Sequence, residues 1–433
     1  MGNTRKNRSH QSWQRPSIAS LSLLSCVLLG ACGGSSPTVP STPGTIPTTP
    51  APTPQPVSAG FLHVLRESSV VTYAIDAATG RLRPSASQDV GDAHTLAGEP
   101  QGRYVFAAFG PRGGPPYWDP SIVAYAPDPA GGSLTKVSEA SSDPIWCRCC
   151  ASWGRSGGWY WLSASSSRVY AMWLTGTYHD DYHTFVTHAV GNDGRLGAAY
   201  LREFSEWDPG MVAVDVDSDV FYKGTETGGL TAHFVGPDGQ LTQMGASNLC
   251  LAEAVYDAGP LLAVRGFLFA RAYARHDETV CSWEGPRLAP RADLGLQSDY
   301  AVAVSPPGAS SASSSSAAVR PATLVALRTS YSVKHGEYYQ TKYEVRLFAM
   351  SGDGGLELLD TVEPGYVKTM LFHSSGRFLY VCHAGTWIAP PDSLMVYSID
   401  AQGHLEVVQT LEDGGGTAMA VTLPQVRPQG QAR

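Results

Sequence analysis

The chain is 433 residues long, 43% hydrophobic and only 16% charged, with 46 glycines and 31 prolines. So little charge with so many turn formers excludes an architecture of long solvated helices and points to many tight turns. The formal charge of −8 argues against nucleic acid as a partner, because a phosphate backbone is bound through clustered cations.

Arg5, Lys6, Arg8 and Arg15 form a basic leader, followed by an apolar run from Ile18 to Leu29 that is too short to span a bilayer. Leu29-Gly30-Ala31-Cys32 resembles a bacterial lipobox, which implies cleavage before Cys32 and lipid on its sulfur and new N-terminus. An ordinary secretory signal cleaved near Ala31 is the alternative. Loss of the leader, which carries four basic and no acidic residues, takes the formal charge from −8 to −12. The tract from Gly33 to Val57 is almost entirely Gly, Ser, Thr and Pro and reads as an extended spacer off a membrane. Gly33 at the second position after the lipid site favours, by analogy with lipoprotein sorting, the outer membrane of the cell envelope. No later apolar run has the length of a transmembrane helix.

From Phe61 onward one unit recurs: an apolar strand, a turn rich in Gly, Ser or Pro, and a second apolar strand. It is seen in "TLAGEPQGRYVFAAF", "WYWLSASSSRVYAMW", "MVAVDVDSDVFYKG", "AEAVYDAGPLLAV", "YAVAVSPPG…ATLVAL" and "LFHSSGRFLYVCHAG". A third strand follows each, ending in a turn and a leucine, as in "VVTYAIDAATGRL" and "VYSIDAQGHL". The leucines are Leu82, Leu134, Leu196, Leu241, Leu288, Leu356 and Leu405, about 54 residues apart, close to the length of a four-stranded propeller blade. The first copy lacks an innermost strand, and an unpartnered apolar strand remains at Thr417 to Thr422. The expected fold is therefore an all-β, seven-bladed propeller closed by its C-terminal strand, which removes exposed sheet edges. The expected organisation is a leader over 1–31, lipidated Cys32 and a disordered linker over 32–57, the propeller over 58–425, and a disordered tail over 426–433.

"VTYAIDAATGRL", "FHSSGRFLYV" and "VYSIDAQGHL" resemble repeats of the seven-bladed lactonase family, which includes propeller-type 6-phosphogluconolactonases and fungal muconate-cycloisomerase-like enzymes. The resemblance is strongest in copies one, two and seven. The paired Gly-His and Trp-Asp signature of WD40 repeats is missing. The family implies a lactone hydrolase, which needs a group to hold the lactone carbonyl and an acid or base to move protons. Its pattern has Arg-His just ahead of the strand turn and Asn-Glu after the next strand. Copy seven instead has Lys368-Thr369 before "LFHSS" and His383-Ala384 after "LYVC". Glu67, after "FLHVLR", keeps a carboxylate in the equivalent column, and His94 begins the inner strand of copy two. The resemblance thus makes Glu67, His94 and Lys368 the candidate catalytic set, with Lys368 replacing an arginine without its bidentate geometry. Solvated loop residues are the plain alternative.

One face of such a propeller surrounds the central channel. Its loops here are long and aromatic: "FGPRGGPPYWDP", "TGTYHDDYH", "SYSVKHGEYYQ" and "AGTWIAPPD". Tyr117, Trp118, Tyr178, Tyr338 and Trp387 are therefore candidate contacts for a carbohydrate or protein ligand, although such rings also order loops by packing on one another. His179 and His183 flank two aspartates and are weak metal candidates, since a hairpin loop does not put them on one face. No metal or other cofactor is expected, and the protein is expected to be a monomer.

Cys147, Cys149, Cys150, Cys250, Cys281 and Cys382 remain after the leader and lipid site, in a compartment where disulfides persist. Six cysteines allow fifteen connectivities, of which Cys250–Cys281 is the first expectation, the two lying within one repeat. Of the two functional readings, ligand binding at the cell surface is favoured over lactone hydrolysis, because copy seven lacks the family's arginine, histidine and glutamate.

Overall fold

The computed structural model describes residues 58–110, 120–141, 157–176, 181–204, 212–224, 229–248, 261–274, 277–285, 288–293, 302–305, 323–335, 338–384 and 393–424. Every element among them is a strand, and the strands form seven four-stranded antiparallel sheets. The first sheet takes β1 (Ser58–Arg66), β2 (Ser69–Asp76) and β3 (Leu82–Asp89) from the start of the fold. The second is β4 (Ala93–Gly98), β5 (Val105–Phe109), β6 (Ser121–Pro127) and β7 (Leu134–Ser141). The third is β8 (Gly157–Ala164), β9 (Arg168–Gly176), β10 (Asp181–Val190) and β11 (Leu196–Phe204). The fourth is β12 (Val212–Asp215), β13 (Val220–Gly224), β14 (Gly229–Val235) and β15 (Leu241–Asn248). The fifth is β16 (Leu261–Val264), β17 (Phe267–Ala274), β18 (Asp277–Glu284) and β19 (Ala289–Asp293). The sixth is β20 (Val302–Val304), β21 (Thr323–His335), β22 (Tyr338–Met350) and β23 (Leu356–Val362), and the seventh β24 (Tyr366–Phe372), β25 (Phe378–Ala384), β26 (Ser393–Ile399) and β27 (Leu405–Glu412).

The last strand, β28 (Ala418–Thr422), returns to the first sheet, where it pairs with β1 from Phe61↔Thr422 to Leu65↔Ala418. It is the missing innermost strand of the first repeat. His63 fastens it: one ring nitrogen meets Thr72 Oγ1 and the other Thr422 Oγ1, each at 3.0 Å, so one side chain ties three strands together.

The sheets pack face to face, which is why their second strands are apolar on both sides rather than alternating. In β5, Val105, Ala107 and Phe109 join the core shared with the first sheet. Phe106 and Ala108, pointing the other way, join Val169, Ala171 and Trp173 of the third. Similar cores lie between the third and fourth sheets, the fifth and sixth, the sixth and seventh, and the seventh and first. The fourth and fifth are linked by Asp215, whose carboxylate accepts from Gly266 N at 2.7 Å. This succession of packed sheets is an all-β propeller.

The leucine turns are junctions as well as turns. Gly80, with φ at +70°, takes a conformation that disfavours a side chain, and a Cβ there would lie 2.4 Å from the Phe378 ring of the seventh sheet. Gly403, at φ +90°, is pressed in the same way against Leu359 of the sixth. The leucine that follows is latched by the preceding sheet's outer strand. Gln409 bonds both Leu82 N and Leu82 O, Gln88 accepts from Leu134 N, Ser138 from Leu196 N, and Asp360 from Leu405 N. A repeat that looks like local turn chemistry is thus also the contact that sets each sheet on its neighbour.

Candidate functional site

The site is built by defects in the inner strands. In β4 the register slips between Ala93 and Thr95, leaving His94 unpaired. In β24 it slips between Val367 and Thr369, so that Lys368 falls at the irregularity. The slip in β8 between Trp159 and Trp161 falls at the same place. A bulge turns its extra residue out of the pleat and so re-aims a side chain. Glu67 is the first residue of the two-residue turn joining β1 to β2, exposed and in the left-handed region at φ 48°. The pairings Ala93↔Phe109, Val367↔His383 and Leu65↔Ala418 put the starts of the inner strands beside the ends of the second strands. Glu67, His94 and Lys368 therefore stand at the same end of three consecutive sheets.

Their electrostatic surroundings differ. The His94 ring lies against Gly110, where a Cβ would be 2.5 Å from Nε2, so the close approach needs glycine. This contact shields the otherwise exposed ring and lowers its pKa, while the Asp92 charge opposes the shift. Lys368 is half-buried, with Nζ 5.0 Å from the centre of the Tyr366 ring. Burial, and then the charge of Arg328, hold its pKa below the ordinary lysine value.

Arg328 is the functional candidate that sequence reasoning missed. It is 2% exposed, on β21 of the sixth sheet, and its guanidinium carbon lies 4.6 Å from the same Tyr366 ring. Its Nη1 donates to the carbonyl of Val367, the residue before Lys368. Tyr343 meets the Tyr366 ring edge-on at 4.8 Å and 88°. Two cations thus share one aromatic ring at the seam between the sixth and seventh sheets, an arrangement favoured by the ring quadrupole. The nearby Glu344 is engaged by Thr329 at 3.5 Å and by Arg346 at 2.9 Å. The available signal was a single arginine in "TLVALRTS", at a position where copy seven has Cys382.

Several expectations change or fall outside the described residues. The segment read as the loop "SYSVKHGEYYQ" is mostly strand: β21 and β22 run on as a paired ribbon to His335↔Tyr338, so Tyr338 belongs to a strand. "TGTYHDDYH" is likewise mostly strand, with Asp181↔Gly176 paired and His183 within β10. These ribbons arise because backbone pairing between the two strands of each hairpin continues out to its tip. Tyr117, Trp118, Tyr178, Trp387, His179, Cys32, Cys147, Cys149, Cys150 and Cys250 lie outside the described residues, and Cys281 is described in its backbone only, within β18. Among the described residues no group of three or more metal-ligating side chains converges, and no helix is long and apolar enough to cross a membrane.

Cys382 was a candidate for a disulfide; it is a free, buried thiol. Its Sγ donates to Met419 Sδ of the closing strand at 3.5 Å, and burial pushes its pKa up to about 12. It is a packing residue. His373 of "LFHSSGRFLYV" is equally structural. Its Nδ1 meets Ser375 Oγ at 2.8 Å, its Nε2 reaches Ala59 O at 3.4 Å, and its backbone N–H closes the turn on Phe378 O at 2.9 Å.

No family model and no curated protein matches the chain. Solved structures do. The periplasmic gluconolactonase of Pseudomonas aeruginosa superposes with a TM-score of 0.56 at 15% identity, over 84% of this chain and 99% of that one. A candidate 6-phosphogluconolactonase of Bacteroides fragilis gives 0.58 at 13%, over 86% and 100%. A counterpart from Bacteroides uniformis gives 0.58 at 13%, over 84% and 100%. At such identities the likeness is one of fold alone: the chain is an all-β propeller similar in fold to these proteins.

Proposed function

We propose that each of the seven sheets is one blade of a closed seven-bladed propeller, held outside the cytoplasm by lipid on Cys32, which binds a carbohydrate or protein ligand at its channel mouth. The observation that carries this reading is the placement of His94, Lys368 and the Arg328–Tyr366 pair at the same end of the second, seventh and sixth sheets. Rigid strands hold these groups, as a preorganised binding site requires. The lipobox and the Pro/Thr spacer supply the address, and the redox state of that compartment suits a Cys250–Cys281 bridge.

A lactone hydrolase is the second reading, favoured by the lactonase names carried by the fold's neighbours. In it Lys368 would polarise the lactone carbonyl, and His94 or Glu67 would move the proton of the attacking water. Against it stands the loss of the family's arginine, histidine and glutamate from copy seven. The test is turnover of glucono- and muconolactones by the full chain in detergent. The expected result is no turnover; hydrolysis that disappears in Lys368→Ala and Glu67→Ala would establish the enzyme instead. Cys32→Ala is expected to abolish incorporation of labelled lipid.

A further inference from the structure

His63 is a buried titratable group that neither reading of the channel mouth uses. It lies on β1, between β2 and β28, and its ring nitrogens meet one hydroxyl on each neighbour, Thr72 Oγ1 and Thr422 Oγ1. A hydroxyl can donate or accept, so the ring keeps both bonds whether neutral or protonated. What opposes a charge there is burial, which lowers the pKa to about 3 with no contribution from a neighbouring charge. β28 carries no ionisable side chain, and β2 meets the ring through Thr72. On the second sheet, the turn that covers Phe61 and Thr72 carries Asp128, which accepts from Gly131 N at 3.0 Å, and Glu99 beyond β4 is held by Arg103 at 2.8 Å. On the seventh, His373 is engaged by Ser375 and Ala59, and Cys382 by Met419. Among the described residues an imidazolium at position 63 has no counter-ion.

Of the strands around the ring, β28 is the one built to let go. It is five residues long and joined to β27 through Gly414, Gly415 and Gly416, and terminal segments open at lower free energy than the core. Its departure takes Thr422 from the ring, admits water, and uncovers Cys382, whose Sγ packs on Met419 Sδ. We propose that His63 is a proton-operated latch: protonating its ring releases β28 from β1 while the other strands stay folded, leaving β1 an open edge and Cys382 exposed. Once released, the ring titrates at its ordinary value of 6.5, so each pH unit below that favours release about tenfold until the closed form itself takes up the proton. The latch is independent of what the channel mouth binds.

The experiment follows the full chain in detergent from neutral pH to about pH 4, across the range in which a histidine titrates. Cys382 is labelled briefly with a dipyridyl disulfide and its peptide read by mass spectrometry, each rate divided by that of the chain unfolded in denaturant. Labelling is expected to rise about tenfold for each pH unit below 6.5. Hydrogen exchange over β28, corrected for its intrinsic pH dependence, should rise with it, while the amides of β5 stay protected. His63→Gln can still bond both hydroxyls but cannot take the proton, and should flatten both profiles. Labelling that stays level with pH, a rise equally steep in His63→Gln, or loss of protection in β5 together with β28 would overturn the latch. Should His63→Gln fail to fold, the parent's labelling slope and order of exchange decide the matter by themselves.

Discussion

Cys382 and Arg328 occupy the same slot in two consecutive repeats. Each lies four residues after the carbonyl that closes its inner turn, Phe378 O accepting from His373 N and Leu324 O from Ser305 N. Each is buried and reaches across to the inner strand of the next sheet. At the seventh–first seam a thiol packs on the sulfur of Met419. At the sixth–seventh seam a guanidinium takes the Val367 carbonyl and the Tyr366 ring. The fold needs only something that fills the slot, and the apolar choice closes the ring. The charged choice requires aromatic and carbonyl partners around it, which is why that seam reads as a site.

The most disruptive way to break the contrast is to put the charge in the wrong seam. Cys382→Arg buries a guanidinium among Leu62, Tyr380 and Met419, and is expected to cost about 4 kcal/mol or more, with loss of cooperative melting by circular dichroism.

Acid should act next, and unequally. His63 is buried beneath the closing strand, and burial lowers its pKa from 6.5 to about 3. The folded chain then binds fewer protons than the unfolded chain between those values. Stability is intact above pH 6.5, falls as pH drops through that window and levels off below about 3. Roughly 3 kcal/mol should be lost by pH 4 through His63 alone, measured by denaturant melts against pH. The steepness should diminish in His63→Gln. A melt equally acid-sensitive in His63→Gln would show that the acid response does not come from the grip on the last strand.

A smaller loss is expected from the latches. Gln409→Ala removes both bonds to Leu82 and should cost about 1–2 kcal/mol in a denaturant melt, as for two ordinary hydrogen bonds. Arg328→Met should cost a similar amount, about 1–2 kcal/mol, because it leaves the Val367 carbonyl without its donor while relieving the burial of a cation. Its signature lies elsewhere. The Lys368 titration should move up towards the ordinary lysine value, read by NMR of labelled lysines.

The fold was legible because its signals are local. "DAATGRL" and its kin carry an aspartate that caps its own turn, as Asp76 does for Ala78 N and Thr79 N at 3.1 and 2.9 Å. Six of the seven leucines open the outermost strand of their sheets, and Leu288 directly precedes β19. The end of the sheets that carries His94 and Lys368 could also be read, since strand alternation alone sets it. What could not be read was which side chain meets which across a seam. In "TLVALRTS" an arginine after an apolar run looks like a residue facing solvent, and only the packing of β24 against β21 makes it buried. The bulges were equally silent, because a register slip appears only when both partner strands are known.

The pairing of β1 has a mechanical consequence. This strand is not the edge of its sheet: β28 lies on one side of it and β2 on the other. Tension applied through the segment before Ser58 would have to shear two ladders at once instead of peeling one strand from an edge. A chain tethered at that point would be pulled where its sheet is doubly gripped, by the ladder to β28 on one side and the ladder to β2 on the other.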